Sequence, residues 1–188
     1  MKKNGFTLIE LIVSISVIGL VTGLFLANYS SANRRTDLTM TAQKLVADIR
    51  LAQSYSLGLA RYGTSDEPSV PEGGWGVNFD LLNNTNNQYK IFADENADAI
   101  ISTGEATESE GAQIITLPTN IVIQSLVFGI TPGYKANVTF LPPDPTTNIN
   151  SGTTLASSTS VNIILKDAKT NSTKTVRVNF LGLVEVID

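Results

Sequence analysis

The sequence predicts an α+β protein in which a long N-terminal helix, apolar in its first half and amphipathic in its second, packs on an antiparallel β-sheet head. Three observations predict it. Residues 6–27 read FTLIELIVSISVIGLVTGLFLA, with Glu10 as the one charge and no proline. Apolar residues then recur at helical spacing, at Leu38, Ala42, Leu45, Ile49 and Ala52, and no proline precedes Pro68. Beyond Gly63 the composition turns to Gly, Asn, Thr, Ser and Pro, broken by short runs rich in β-branched and aromatic residues.

The whole chain bounds what these elements can do. Its 188 residues suit one domain of ordinary size plus an extra element. With 13 basic and 17 acidic residues the net charge is -4, which gives no electrostatic footprint for nucleic acid. Cysteine and histidine are both absent. That excludes disulfides, thiol catalysis, thiolate metal sites, Ser-His triads and the commonest zinc ligand, so the chain is not read as an enzyme.

The first element spans 22 residues, about 33 Å at the helical rise, which is close to the thickness of a bilayer's hydrocarbon core. It follows a short basic leader, Met1-Lys2-Lys3-Asn4-Gly5. Three readings compete for this arrangement. One is a cleaved secretory signal, with a small-x-small site at Ser30-Ser31-Ala32, although a signal's apolar region is rarely so long and Glu10 would lie inside it. Another is a plain single-pass anchor, whose orientation is left open by Lys2 and Lys3 before the span and Arg34 and Arg35 after it. The third is a processing site that removes the leader and retains the apolar helix.

The third reading rests on Gly5-Phe6-Thr7-Leu8-Ile9-Glu10. This hexapeptide resembles the leader-peptidase site of type IV pilins and type II secretion pseudopilins: a basic leader ending in Gly, then Phe, with Glu four residues further on. The resemblance implies cleavage between Gly5 and Phe6 by a prepilin peptidase, N-methylation of Phe6, and polymerisation through the retained helix. It also gives Glu10 a physical role. A carboxylate in an apolar span costs about 2.5–3.5 kcal/mol and so calls for a partner. Cleavage supplies one in the new cationic amine of Phe6, in the same subunit or a neighbour, and the pair would set the axial register. Gly19-x-x-x-Gly23 in the same span allows close helix approach.

The helix is expected to continue to about Ser56 and to stop near Gly58 or Gly63. Lys44, Asp48, Arg50 and Gln53 lie away from its apolar stripe. The expected division is a leader over residues 1–5, a transmembrane and assembly helix over 6–27, an amphipathic continuation over 28–62 and a β-rich head over 63–188. The chain is thus expected to form a pilin-like ladle.

In the head, strands are expected over residues 75–79, 89–93, 114–117, 122–128, 136–140, 161–166, 175–179 and 184–187. The last three form an antiparallel meander, with a turn over 167–172 and another at Gly182. The proline-rich and Thr/Ser/Asn-rich stretch over 142–159 reads as a mobile surface loop. Asp48-Ile49-Arg50-Leu51-Ala52-Gln53, Gly74-Trp75-Gly76 and the terminal strand-Gly-strand pattern resemble the H-type minor pseudopilin and related minor pilins. Sequons at Asn83, Asn137 and Asn171 are expected by chance in so Asn-rich a chain.

Residues 94–105 match the ligand spacing of an EF-hand-type calcium loop. Asp94, Asn96 and Asp98 offer side-chain oxygens at positions one, three and five, Ile100 a carbonyl at seven, and Glu105 a carboxylate at twelve. Such oxygen donors suit a hard cation. The sixth position, normally Gly, is Ala99, and the flanks read as strand and loop instead of helices. The alternative is a solvated acidic turn stabilised by Asx bonding. No cofactor is required, with calcium the candidate ion.

The function expected is that of a structural subunit of a type IV pilus or secretion pseudopilus. It would be a single-pass inner-membrane protein before assembly, and part of a periplasmic or cell-surface filament afterwards. Implied partners are a prepilin peptidase, an inner-membrane platform protein, the membrane, and copies or relatives of the chain. Nucleic acid is not expected, because loss of Lys2 and Lys3 leaves 11 basic against 17 acidic residues, a net of -6. The alternative is a non-polymerising, membrane-tethered or secreted calcium-binding β domain.

Overall fold

A computed structural model describes residues 5–63, 69–82, 85–102, 113–142, 146–152 and 158–187, with the side chains of 27–34 left aside. It divides into two compact units, Met1–Thr36 and Asp37–Asp188. Helix α1, Leu8–Leu57, contributes to both.

In the second unit α1 turns one stripe inward. Leu38, Ala42, Leu45, Ile49, Ala52 and Ser56 are buried, three or four residues apart, as is Thr41 beside Ala42, while Met40, Gln43, Lys44, Ala47 and Ser54 are exposed. The helix ends in a Schellman motif: Ala60 N–H donates to Tyr55 O (2.9 Å) and Leu59 N–H to Ser56 O (3.2 Å). The left-handed residue is Leu59 (φ 50°), one position beyond the glycine that signals the stop.

Among the described residues ten strands follow: β1 (Trp75–Asp80), β2 (Gln88–Ala93), β3 (Gln113–Thr116), β4 (Ile121–Phe128), β5 (Thr131–Gly133), β6 (Lys135–Leu141), β7 (Thr146–Asn150), β8 (Ser160–Asp167), β9 (Thr173–Asn179) and β10 (Val184–Ile187). They form two five-stranded sheets, β3-β2-β1-β6-β7 and β10-β9-β8-β4-β5, with every pairing antiparallel. Each of the eight expected strands is present, with bounds shifted by at most two residues. The expected meander is the β8-β9-β10 end of the second sheet.

Within the stretch over 142–159 expected to be a mobile loop, β7 corrects residues 146–150, while 143–145 and 153–157 lie outside the described residues. This strand pairs with β6 from Asn137↔Asn150 to Leu141↔Thr146, and Thr147, Ile149 and Asn150 are buried. Its inward residues are largely polar, so the alternation of apolar and polar types that marks a strand is missing.

The core joins the inward stripe of α1 to Val77, Phe79, Tyr89, Ile91, Val138 and Phe140 of the first sheet and Ile123, Leu126, Val161, Ile163, Leu165, Val176 and Val178 of the second. Three polar ties fix the helix within this unit. Ser56 Oγ accepts the Trp75 N–H at 2.7 Å, and Trp75 Nε1 donates to Ala60 O at 3.0 Å. Gly74 makes this approach possible. Its φ is +78°, and a Cβ there would sit 2.1 Å from Phe140 O. The second tie is the Tyr89 hydroxyl, which donates to Asp48 Oδ2, a carboxylate oxygen that Lys44 Nζ also meets at 2.7 Å. Burial first, and then Asp48, push the Tyr89 hydroxyl well above the ordinary tyrosine range. Asp48 and Arg50 thus lie off the apolar stripe and still tie the helix down, Arg50 through Nη2 to Val184 O at 3.1 Å.

Candidate functional site

The N-terminal segment is built around the start of α1. Residues 5–7 precede the first turn and Thr7 is the N-cap. Glu10 Oε2 accepts the Thr7 N–H at 3.3 Å and the Thr7 hydroxyl at 3.0 Å, while Thr7 Oγ1 accepts the Glu10 N–H at 3.4 Å. This reciprocal arrangement is a capping box, which satisfies backbone donors that a helix start leaves unpaired. Its signal, Thr-x-x-Glu, is legible in the sequence, where Glu10 was read only as a charge partner. Both bonds to Glu10 fall on one oxygen. Phe6, one residue before the cap, is 79% exposed.

From Leu8 to Leu26 every large apolar side chain is between 46% and 77% exposed. This stretch has a mean hydropathy of 2.3 and is long and apolar enough to cross a membrane. Its two serine hydroxyls are satisfied within the helix: Ser14 donates to Glu10 O (2.7 Å) and Ser16 to Ile12 O (2.8 Å). A Cβ at Gly19 or Gly23 would meet nothing within 4 Å, so neither glycine serves packing within the described chain. A helix apolar all round buries its surface in lipid or among other apolar helices.

The acidic loop leaves β2 at Asp94, which is buried. Asp94 Oδ2 accepts the Ala99 N–H at 2.8 Å, Asn96 Oδ1 accepts the Asp98 N–H at 3.1 Å, and Asp98 Oδ1 accepts the Ile100 N–H at 2.8 Å. Asn96 Nδ2 donates to Asp98 Oδ2 at 3.0 Å, and Asn150 Nδ2 holds the Ala99 carbonyl at 3.1 Å. Ala97 and Ala99 take left-handed conformations, φ 56° and 57°. The sixth position of the loop therefore makes the sharp turn for which glycine is the usual residue, at a conformational cost of about 1–2 kcal/mol. Among the described residues no group of three His, Cys, Asp or Glu side chains could hold a metal ion. Asp94, Asn96, Asp98 and Ile100 are brought into one loop, while Glu105 lies outside the described residues. The leader residues Met1, Lys2, Lys3 and Asn4, and the sequon at Asn83, also lie outside them. Asn137 is buried and accepts a bond from Asn78 at 2.7 Å.

Residues 1–26 match the family described as the prokaryotic N-terminal methylation motif. No curated protein and no solved structure matches the chain significantly.

Proposed function

We propose that this chain, whose first 26 residues carry the hallmark of type IV pilins and pseudopilins, is the precursor of a filament subunit, cut between Gly5 and Phe6 and polymerised through its N-terminal helix. The observation that carries the proposal is the pairing of that motif with an apolar helix whose side chains find no cover within the described chain. Before assembly the helix anchors the chain in the inner membrane. Afterwards the same surface packs against the helices of neighbouring subunits in a periplasmic or surface filament. A prepilin peptidase and an inner-membrane platform protein are the partners this route requires.

Glu10 acts twice in this proposal. Through Oε2 it caps its own helix with Thr7, which keeps the first turn wound so close to the cut. Cleavage then places the Phe6 amine one residue before that cap, and Oε1 is available to receive it from the same subunit or the next. The pair offsets the cost of a charge in an apolar setting. The test is co-expression with a prepilin peptidase and platform protein, followed by electron microscopy. The expected result is filaments from the native chain and far fewer from Glu10→Val. A native chain that is processed but forms no filament would overturn the proposal, and undiminished assembly by Glu10→Val would remove the role given to Glu10.

We propose also that the loop over residues 94–105 takes calcium within such a subunit. The supporting observation is Ala99, which makes the turn that its side chain disfavours. Asp94, Asn96, Asp98, the Ile100 carbonyl and Glu105 are the ligands proposed. Calorimetric titration of the full chain in detergent should give saturable heat with calcium that Asp98→Ala abolishes; no heat and no thermal shift would retire this site.

A further inference from the structure

The first sheet has a second face, turned away from the core, and its polar side chains are unusually well covered. Val77, Phe79, Tyr89, Ile91 and Val138 belong to the core, so strand alternation turns Asn78, Gln88, Lys90 and Asn137 to the other side. Asn78 pairs in register with Lys90 on one neighbouring strand and with Asn137 on the other. Asn78 and Asn137 are only 5% and 1% exposed. Asn150, in register with Asn137, holds the segment after β2 against this face through Nδ2 and the Ala99 carbonyl at 3.1 Å. Beside that segment the face keeps a cavity of about 300 Å³, whose lining includes Asn78, Asp80, Thr85, Gln88, Lys90 and Ile101. Small-molecule sites measure about 300–1,000 Å³.

The lining has unused bonding capacity. Asn78 donates through Nδ2 to Asn137 Oδ1 at 2.7 Å, while its own Oδ1 receives no bond from the described residues. So deeply buried an acceptor calls for a donor from the cavity. The side chains of Gln88 and Lys90 are half-buried and make no hydrogen bond or ion pair among the described residues. Asp80 differs: its Oδ2 meets Lys135 Nζ at 2.9 Å and its Oδ1 accepts the Leu82 N–H at 2.9 Å, so its charge is matched within the head. Lys90 therefore sets the sign of the cavity. Thr85 Oγ1 donates to the Asp80 and Leu82 carbonyls at 2.7 and 2.6 Å, which leaves it as an acceptor. Amides that donate and accept at once match hydroxyl groups, which do the same. Ile101 adds an apolar wall.

The geometry points to this cavity as a binding site for a small polyhydroxylated carboxylate, the chemistry of an acidic monosaccharide. Lys90 donates to the carboxylate, Asn78 Oδ1 and the Gln88 amide bond the ring hydroxyls, and Ile101 packs on the ring's C–H face. The site lies wholly in the head. It depends neither on the filament reading nor on the ligands proposed for calcium.

The test is ligand-detected NMR titration of the full chain in a detergent without a sugar headgroup, with chelator present so that calcium contributes nothing. Glucuronate is the probe, with glucose and N-acetylalanine as comparisons. The native chain should bind glucuronate saturably and about tenfold more tightly than glucose, the scale of a hydrogen bond to a charged group. Lys90→Gln should remove that preference and Gln88→Ala should weaken both sugars, each with the native melting temperature. No saturable binding of glucuronate, or equal affinity for glucose, would overturn the inference. Both comparisons are made within the native chain, so they stand even if a variant unfolds. Tighter binding of N-acetylalanine than of glucuronate would also overturn it, and would mark the cavity as a site for the C-terminal carboxylate of a peptide.

Discussion

The two ends of helix α1 share a backbone and differ in what they bury. From Leu8 to Leu26 every large apolar side chain is substantially exposed, and the apolar character runs all round the helix. From Leu38 onward one stripe is sealed against the sheets, with Leu45, Ile49 and Ala52 at 0% exposure, and the other face mixes polar and small residues with the exposed Met40, Leu51 and Leu57. The difference teaches that one helix is written for two solvents. Its second part is complete within the chain, whereas its first part is stable only in surroundings that the chain does not supply. That division separates the stability of the head from the capacity to insert and assemble.

The largest effect expected breaks the head alone. Ile49→Ala removes a fully buried side chain of α1 from the core and should cost about 2–5 kcal/mol. Thermal melting of the full chain in detergent should show the loss, while membrane insertion stays native. Ile15→Lys should do the reverse. A lysine near the middle of the apolar span costs about 2.5–3.5 kcal/mol on insertion, so membrane fractionation should show loss of the anchored form, with the head's melting unchanged. If either variant moved both readouts together, the two parts would not be independent.

The third prediction sharpens the comparison through pH. Burial and Asp48 hold the Tyr89 proton in the folded head, whereas the unfolded chain releases it near the ordinary tyrosine value of about 10. The stabilisation is therefore complete below about pH 10 and is lost as the pH rises beyond it, where the unfolded state binds fewer protons than the native one. Melting temperature should fall steeply above about pH 10 in the native chain and less steeply in Tyr89→Phe. The smallest effect belongs to the N-terminal cap. Thr7→Ala leaves Glu10 without its reciprocal partner and should weaken the first turn by about 1 kcal/mol, read as faster amide exchange over residues 8–11.

How far the sequence could be read differs between the same two regions. The apolar span and the strands of the head were legible because hydrophobic period and length report burial directly, as in Val161, Ile163 and Leu165 of β8. β7 was not, since Thr147 and Asn150 occupy inward positions that pattern reading reserves for apolar residues. Nor was the division into two sheets, which depends on pairings such as β1 with β6, far apart in the chain. Asp48 was legible as off the stripe but not as the partner of Tyr89, 41 residues away. At the candidate site the family motif over residues 1–26 was legible, and Gly5 and Phe6 lie within it as the residues proposed for cleavage and methylation. The capping box was encoded as plainly and was masked by the charge-pair reading of the same glutamate. In the acidic loop the ligand spacing was legible, whereas the left-handed turn at Ala99 depends on tertiary support such as the Asn150 bond to its carbonyl.

The most direct test of the central claim is the mass and N-terminal sequence of the mature chain from membranes or sheared filaments. The account predicts a chain beginning at Phe6, with one methyl group on its amine and the apolar helix retained. A chain beginning at Met1 would make the span a plain anchor, and one beginning at Asn33 would make it a discarded signal. Either result would contradict the account.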